Sequence, residues 1–390
     1  MKATDNFFSS KRTWSTLKDE ILESYLAPYL SKISRTGLPV RIADCFAGKG
    51  RFDDGELGSP IYIASAIEKA LQRDPTSNIQ GVFIEKKYFD QLRKNLTPYA
   101  NCNLLKGEYE DRVQKFVDIV DAPKLNLFLY VDPYGIKHLP FQHFESVSAL
   151  GLNSLELLLN FNTFGFLREG CRLLKLRDFE CDEDSEVYEP DEANNVERMN
   201  AIAHGNYWQK ILTEYHEGQI SMADAEKEFS VKYVDALKTL FSYIVNIPIK
   251  QKRSHLPKYR LIFGTNSGDG LLLMADKMSR TWKAFVLNER RGQRVLFDDL
   301  DFPDYAASGF AKPDETIWNL LSEPYELKNL LVKLIEQFGI AYSESELINI
   351  VRRLVEANTI IVEREPSTTP TGRKAISYDY RKYNIVLKRG

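Results

Sequence analysis

Four acidic residues follow short apolar runs of the chain, and their positions are its most informative chemical feature. The acids are Asp44, Glu85, Glu108 and Asp132. The carboxyl ends of parallel strands meet at one edge of an open α/β sheet, so these carboxylates are expected to converge on one crevice. A crevice lined by carboxylates favours a ligand that carries positive charge and hydrogen-bond donors.

A glycine turn follows the first of these acids. The strand predicted from Val40 leads into Asp44, Cys45, Phe46, Ala47, Gly48, Lys49 and Gly50. The two glycines permit a tight turn and the close approach of a ligand. Phosphate-binding loops usually carry a Lys-Ser/Thr pair, whereas an acid in this place suits an ammonium or sulfonium ligand. The turn therefore predicts S-adenosylmethionine (SAM) as cofactor, held by Asp44, Phe46, Ala47, Gly48 and Gly50. An ordinary strand-to-helix turn would explain the same glycines.

The next two strand ends supply further candidate cofactor contacts. Glu85 ends the run from Gly81, in the place where doubly wound sheets bind ribose hydroxyls through an acid. Glu108 follows the run from Leu104, where a carboxylate can accept a hydrogen bond from an adenine amino group. Simpler explanations are a strand-end carboxylate that meets only water for Glu85, and a polar turn for Glu108.

The fourth strand end carries the candidate catalytic residues. The apolar run Leu125 to Val131 leads directly into Asp132, Pro133, Tyr134 and Gly135. The carboxylate and a carbonyl beside the proline can accept two hydrogen bonds from one amino group, which leaves its lone pair directed at a methyl donor. Tyr134 can stack on a planar acceptor. The same four residues also make an ordinary turn sequence.

These motifs in this order resemble class I SAM-dependent methyltransferases, particularly those that methylate exocyclic amino groups of nucleic-acid bases. Over about residues 7 to 280 the chain is similar to the three-Cys-motif partner proteins, a methyltransferase-like family. The segments that carry this resemblance are Phe7-Phe8, Lys11, Trp14-Ser15, Leu17-Lys18, Glu20-Ile21-Leu22, Asp44 to Phe52, Gly58-Ser59-Pro60, Asp132 to Gly135, and Asn160 to Gly165.

The resemblance implies SAM as cofactor, methyl transfer as activity, and a three-Cys-motif protein as a partner. The chain departs from the Asp/Asn-Pro-Pro-aromatic pattern of base methyltransferases, because Tyr134 and Gly135 take the third and fourth positions. The leading hypothesis is methylation of a base amino group in DNA or RNA. One alternative is a weakly active or inactive binding module that partners a three-Cys-motif protein, and another is a methyltransferase with a protein or small-molecule acceptor.

Composition sets the general class of the protein. Its 390 residues, 43% hydrophobic, are enough for two or three folded domains. The apolar runs are of strand length, and the N-terminus lacks a signal-peptide core, which predicts a cytoplasmic protein without a membrane span. The four cysteines form no Cys-x-x-Cys pair. Cys171, Cys181 and His204 match no usual zinc spacing, so free thiols and no metal site are predicted.

Charge is segregated along the chain, although the net charge is only −3. Residues 178 to 197 are strongly acidic and contain no lysine or arginine, which indicates a solvated loop. Two basic regions could track a phosphate backbone or could be solvated surface: the last 40 residues, and the cluster Lys250, Lys252, Arg253, Lys258 and Arg260 with His255 and Tyr259.

The alternation of strands and helices predicts an α/β fold, a Rossmann-like class I methyltransferase sheet with helices on both faces. The predicted methyltransferase-like domain spans residues 1–300, with its fifth strand at Ser154 to Phe161. Its helical insertion at 166–245, which we interpret as a cap over the crevice, contains helices predicted around Val196 to Tyr215 and Ala223 to Val245. A linker at 301–315 precedes a winged helix-turn-helix-like domain at 316–390, with a capping box predicted at Ser343 and Glu346 and a last strand at Ile376 to Leu387. Arg352, Arg353, Arg373 and Lys374 are candidate nucleic-acid contacts in it; the alternative is that this module binds a protein or dimerises.

Overall fold

The structure is a computed structural model that describes residues 13–109, 112, 124–136, 139–176, 194–250, 256–289 and 312–390. The chain divides into two compact units, Met1–Asn266 and Ser267–Gly390. This division lies upstream of the boundary predicted at residue 300, so the helix that begins at Gly268 belongs with the C-terminal unit. Most of the predicted linker lies outside the described residues, and its last three positions, 313–315, already form a helix.

Seven strands form the sheet of the first unit: β1 (Val40–Asp44), β2 (Ile79–Glu85), β3 (Cys102–Lys106), β4 (Asn126–Val131), β5 (Ser154–Phe161), β6 (Tyr243–Ile249) and β7 (Tyr259–Thr265). Their order in the sheet is β3-β2-β1-β4-β5-β7-β6. The first five strands pair in parallel, and β7 is antiparallel to both of its neighbours. This strand order confirms the predicted Rossmann-like α/β fold.

The helices described in this unit are α1 (Thr13–Ile33), α2 (Ser59–Arg73), α3 (Phe89–Leu96), α4 (Gln142–Ser148), α5 (Thr163–Leu174), α6 (Val196–Ala203), α7 (Tyr207–His216) and α8 (Met222–Leu237). They cover both faces of the central strand β4, whose residues are all buried. On one face the ring of Phe128 lies 5.6 Å from Tyr25 of α1. On the other face Leu129 shares a core cluster with Phe144 of α4. A strand buried on both faces must be apolar throughout, which explains why its position was evident from the sequence.

The predicted insertion at 166–245 is joined to the main core by aromatic packing. Phe229 of α8 stacks on Phe166 of α5 at 4.6 Å, and Tyr233 of α8 stacks on Phe161 of β5 at 4.5 Å. Residues 177–193, with most of the acidic stretch, lie outside the described residues. The helices at 196–237 therefore help to bury the carboxyl end of β5, and their role as a cap stays a prediction.

The second unit contains α9 (Gly268–Glu289), α10 (Pro313–Leu320), β8 (Tyr325–Glu326), α11 (Leu327–Phe338), α12 (Glu344–Glu356), β9 (Ile360–Glu365) and β10 (Asn384–Arg389). Its three strands pair antiparallel in the order β8-β10-β9. The capping box predicted for Ser343 and Glu346 is present at the start of α12. The last strand begins at Asn384, later than the predicted Ile376, whose side chain is 77% exposed. The winged-helix assignment stays a prediction.

None of the helices that the structure describes is both long enough and apolar enough to span a membrane.

Candidate functional site

The glycine turn after β1 is seated against the end of β2. The Ala47 N–H donates to the Ile84 carbonyl at 3.0 Å, and the Gly48 N–H donates to Oε2 of Glu85 at 2.8 Å. Gly48 and Gly50 have φ values of +60° and +80°, which residues with a Cβ adopt only at a cost in energy. These glycines are therefore required by the backbone conformation of the turn, as their spacing predicts.

Asp44 is buried beneath this turn. One carboxylate oxygen accepts from the Phe46 N–H at 3.2 Å, and the other accepts from the Ser59 hydroxyl at the start of α2 at 2.7 Å. Burial raises the pKa of Asp44 to about 7, against the two hydrogen bonds that lower it, and the negative charges of Asp132 and Asp19 raise it further. Asp44 thus orders the turn and places a carboxyl group beneath it that a bound cation would ionise.

Glu85 and Glu108, the predicted ribose and adenine contacts, accept hydrogen bonds from other groups of the protein. Besides Gly48, the Glu85 carboxylate accepts from the backbone N–H groups of Lys87 and Tyr88, at 2.7 and 2.9 Å. Glu108 pairs with Lys86 at 2.6 Å. The Gly107 N–H donates to the Glu85 carbonyl at 3.1 Å, which brings the ends of β2 and β3 together. The structure therefore places both acids at the sheet edge that holds the glycine turn.

Asp132 lies beside the glycine turn because β1 and β4 are neighbours in the sheet. Asp44 is in register with Tyr130, and the Cys45 N–H donates to the Tyr130 carbonyl at 3.0 Å. The Asp132 carboxylate accepts from Lys18 Nζ at 2.9 and 2.7 Å, from Asn160 Nδ2 at 2.7 Å, and from the Tyr130 hydroxyl at 3.2 Å. Asp132 is thus the centre of a polar cluster to which α1, β4 and β5 contribute.

The other two candidate catalytic residues flank this carboxylate. Pro133 is buried, and the ring of Tyr134 is 56% exposed. Gly135 has a φ of +91°, a backbone conformation that favours glycine. An exposed aromatic ring next to Asp132 provides a surface on which a planar group could stack.

Several residues of this cluster were not assigned a role from the sequence. Lys18 and Asn160 lie in segments that carry the family resemblance, but nothing in their spacing placed them beside Asp132. Tyr259 of β7, which the sequence placed in the basic cluster, lies with its ring centroid 5.5 Å from Lys18 Nζ, a cation–π distance. Asp19 is buried, and its charge acts on Asp44 and Tyr130. Lys18 and Asp19 are adjacent in the sequence of α1, but only the docking of α1 brings them to the sheet edge.

The cluster leaves one buried acceptor unused. The side chain of Asn160 is 1% exposed, and among the residues that the structure describes its carbonyl oxygen has no hydrogen-bond partner. Buried acceptors are usually satisfied, so an orphaned one marks a place for a ligand or a water. The site therefore offers a donor-bearing ligand a carboxylate and an amide oxygen side by side.

The charges of the site fit SAM. Asp19, Asp44 and Asp132 place three carboxyl groups close enough to interact electrostatically, which favours an ammonium or sulfonium group over a phosphate. The positive-φ glycines of the turn bring backbone close to the same edge. Across the described ranges, no group of three or more acids, histidines and cysteines is arranged to hold a metal ion.

The structure removes Arg260 from the predicted phosphate-tracking surface. Arg260 is buried and forms an ion pair with Glu226, at 2.9 and 2.5 Å, so this guanidinium cannot contact a nucleic acid. Lys252, Arg253 and His255 lie outside the described residues. In the second unit Arg353 pairs with Asp314, whereas Arg373 and Lys374 are exposed. The prediction for Arg260 was wrong. Side chains along a strand alternate between the two faces of the sheet, and only the packing of the sheet decides which face is buried.

The chain was compared with protein-family models, with curated proteins and with solved structures. No family model and no curated protein matches it. Among solved structures it is similar to PKMT2 from Rickettsia typhi, at 10% identity and a TM-score of 0.28, over 85% of this chain and 73% of that chain. So low a TM-score carries no structural argument, and the fold assignment rests on the strand order of the sheet. Membership of the three-Cys-motif partner family stays a prediction.

The raised pKa of Asp44 predicts a stability that depends on pH. Since its pKa rises from 3.8 in the unfolded chain to about 7 in the folded protein, the folded state holds more protons between these values. The free energy of unfolding therefore falls as pH rises from about 4 to about 7. We expect Asp44→Asn to remove this loss, with a gain over wild type of up to about 4 kcal/mol above pH 7 and little gain near pH 4.

Urea denaturation at several pH values measures this difference. Asp74 provides a control of opposite sign, because hydrogen bonds from Ser77 and Thr76 lower the pKa of this exposed carboxyl. Asp74→Asn should therefore cost stability at neutral pH and not in acid. A gain for Asp44→Asn that is the same at pH 4 and pH 8 would show that folding does not raise the pKa of Asp44.

Proposed function

We propose that this protein is a SAM-dependent methyltransferase that transfers a methyl group to an amino nitrogen held at Asp132. The observation that supports this most directly is the adjacency of the glycine turn and Asp132 at the ends of β1 and β4, joined by the hydrogen bond from Cys45 to Tyr130. Ligands of open α/β sheets bind at this edge. A cofactor over the turn and an amine at Asp132 would therefore lie on neighbouring strands, about 5 Å apart.

The glycine turn and the ends of β2 and β3 would bind the cofactor. The residues predicted from the sequence are Asp44, Phe46, Ala47, Gly48 and Gly50 at the turn, with Glu85 and Glu108 at the two strand ends. When bound, SAM supplies a methyl group on a positively charged sulfur, which is a good leaving group and calls for little acid–base chemistry. The task of the protein is then alignment: Asp132 accepts one hydrogen bond from the amino group, the Pro133 carbonyl or the Asn160 amide oxygen accepts the other, and the lone pair is directed at the methyl carbon.

The acceptor that we propose from the motif is an amino group of a nucleic-acid base. The exposed ring of Tyr134 beside Asp132 supports this, because it can stack on a planar heterocycle. A duplex substrate would require the base to be extruded. Exposed Arg373 and Lys374 in the second unit would contact phosphates.

A second candidate acceptor is an aliphatic amine of a protein. The observation that favours it is the Lys18 ammonium group, which Asp132 already holds at 2.7 and 2.9 Å. Incubation with labelled SAM and separate mixtures of nucleic acid and protein, followed by nuclease or protease digestion, distinguishes the two acceptors. Label released only by nuclease supports the base acceptor, and label released only by protease supports the protein acceptor.

SAM binding is the step on which both candidates depend. We expect calorimetry to detect binding of SAM and of its demethylated product, and Gly50→Val to weaken the affinity at least about tenfold, because a β-branched residue at φ +80° costs about 1–3 kcal/mol. A Cβ there would also lie 3.3 Å from Cδ1 of Leu92, so that side chain or the turn would have to move by a few tenths of an ångström.

Gly218 provides the matched control for this variant. It has a φ of +75° and open space where a Cβ would lie, and it follows α7 at a distance in sequence from the site residues. Gly218→Val should bear the same backbone strain and bind SAM as the wild type does. If both variants lost binding equally, the cause would be general destabilisation of the fold. If the wild-type protein did not bind SAM, the proposed function would be refuted.

A further inference from the structure

The amino group of Lys18 occupies the position that the proposed function reserves for the acceptor. Its Nζ donates to both oxygens of Asp132, at 2.9 and 2.7 Å, and its side chain is only 8% exposed. The Asp132 carboxylate is held in turn by Asn160 and Tyr130. Asp132 therefore cannot bind an external amine and Lys18 in the same arrangement.

The surroundings of Lys18 are those of a bound amine substrate. A carboxylate lies on one side, the ring of Tyr259 lies at 5.5 Å, and the orphaned carbonyl oxygen of Asn160 belongs to the same cluster. An aromatic ring near an ammonium group stabilises the charge without donating a hydrogen bond, and it tolerates added methyl groups. If Lys18 only joined α1 to the sheet, the ion pair with Asp132 would be sufficient, and neither the aromatic ring nor the unpaired oxygen would be needed.

We infer that Lys18 is a self-methylation site, so that the protein transfers a methyl group from SAM to its own Nζ. The inference rests on the proposed function, because it uses the same cofactor and the same carboxylate. It adds an acceptor that belongs to the chain itself, delivered by α1 to the end of β4.

The reaction balances without a further reagent. The Lys18 ammonium group loses a proton to Asp132 or to water, and the freed lone pair forms a bond to the methyl carbon. The carbon–sulfur bond breaks, and its electron pair stays on sulfur. The products are N-methyl-lysine, the neutral thioether and one released proton.

The test is to incubate the full chain with SAM that carries a deuterated methyl group, and to identify labelled lysines by peptide mass spectrometry. We expect label at Lys18, at a fractional rate that does not change with protein concentration, since the transfer is intramolecular. Lys18→Arg should carry no label at residue 18, and Asp132→Ala should lose most of the label at Lys18. Lys210, 79% exposed in its side chain, is the control for uncatalysed methylation and should stay unlabelled.

A second measurement, made without SAM, tests whether the Lys18 amino group is buried against Asp132. Acetic anhydride should acetylate Lys18 more slowly than Lys210, because Asp132 holds the ammonium group in a buried place, and Asp132→Ala should speed the acetylation of Lys18. Equal rates in the wild type would overturn the inference, since Lys18 would then not occupy the site.

The outcomes separate this inference from the function on which it rests. Binding of SAM with no label at Lys18, or with equal labelling of Lys18 and Lys210, would overturn self-methylation and leave the methyltransferase proposal standing. Absence of SAM binding would overturn both.

Discussion

Replacement of Asp132 by alanine is expected to lower methyl transfer by at least about 100-fold, because an amino acceptor that is no longer aligned loses the benefit of proximity. Most of the affinity for SAM should be retained, since the glycine turn is ordered by Asp44, Ser59 and Glu85 and not by Asp132. Transfer of labelled methyl groups measures the first quantity, and calorimetry with SAM measures the second.

A matched control shows whether the effect is specific to the Asp132 carboxylate or follows the removal of any carboxylate. Asp235 on α8 pairs with Lys238 at 3.0 Å, and its side chain is 53% exposed. Asp235→Ala should leave both transfer and binding unchanged. Retention of full transfer by Asp132→Ala would remove Asp132 from the catalytic residues, whereas joint loss of transfer and SAM binding would make it a cofactor contact.

The second large effect concerns stability. Arg260→Met is expected to lower the free energy of unfolding of the first unit by about 3–5 kcal/mol, because it leaves the carboxylate of Glu226 buried without its charge partner. The pair is almost wholly buried, and Glu226 also accepts from Thr163 at 2.9 Å and from Ser230 at 3.1 Å. The network thus ties β7, α5 and α8 together, and urea denaturation followed by circular dichroism measures its loss.

Two further variants test that interpretation. The double variant Arg260→Met with Glu226→Leu should recover much of the stability, because no charge is then left buried. Lys238→Met breaks an exposed ion pair on the same helix and should cost less than about 1 kcal/mol. A loss for Arg260→Met as small as that for Lys238→Met would show that the guanidinium is not buried with Glu226.

Much of the fold could be predicted because its signals are local. The strand Ser154–Phe161 has the predicted bounds, and β4 starts one residue later than predicted. Central parallel strands are buried on both faces, so they are apolar at every position and easily recognised. The glycines of the turn were equally evident, because only residues without a Cβ adopt φ values of +60° and +80° without strain.

Local signals were weaker where one pattern fits two structures. The helix predicted from Val196 to Tyr215 is interrupted at His204 and Gly205, whose φ values of +56° and +152° end α6 before α7 begins. The helix predicted to reach Val245 ends at Leu237, and β6 begins at Tyr243. Leu240 and Phe241 continue the apolar pattern through the second junction, so hydrophobic periodicity alone does not mark it. At the first junction Gly205 and Asn206 are a local turn signal that periodicity does not register.

The sequence by itself determined which acids end the strands, and therefore that Asp44, Glu85, Glu108 and Asp132 lie on one edge of the sheet. Only the tertiary structure decided what surrounds them. Lys18 lies 114 residues before Asp132, and Asn160 lies 28 residues after it, yet both donate to its carboxylate. The burial of Arg260 against Glu226 was decided in the same way. Strand ends follow from the order of residues along the chain, whereas the partners of a buried charge depend on how separate elements pack.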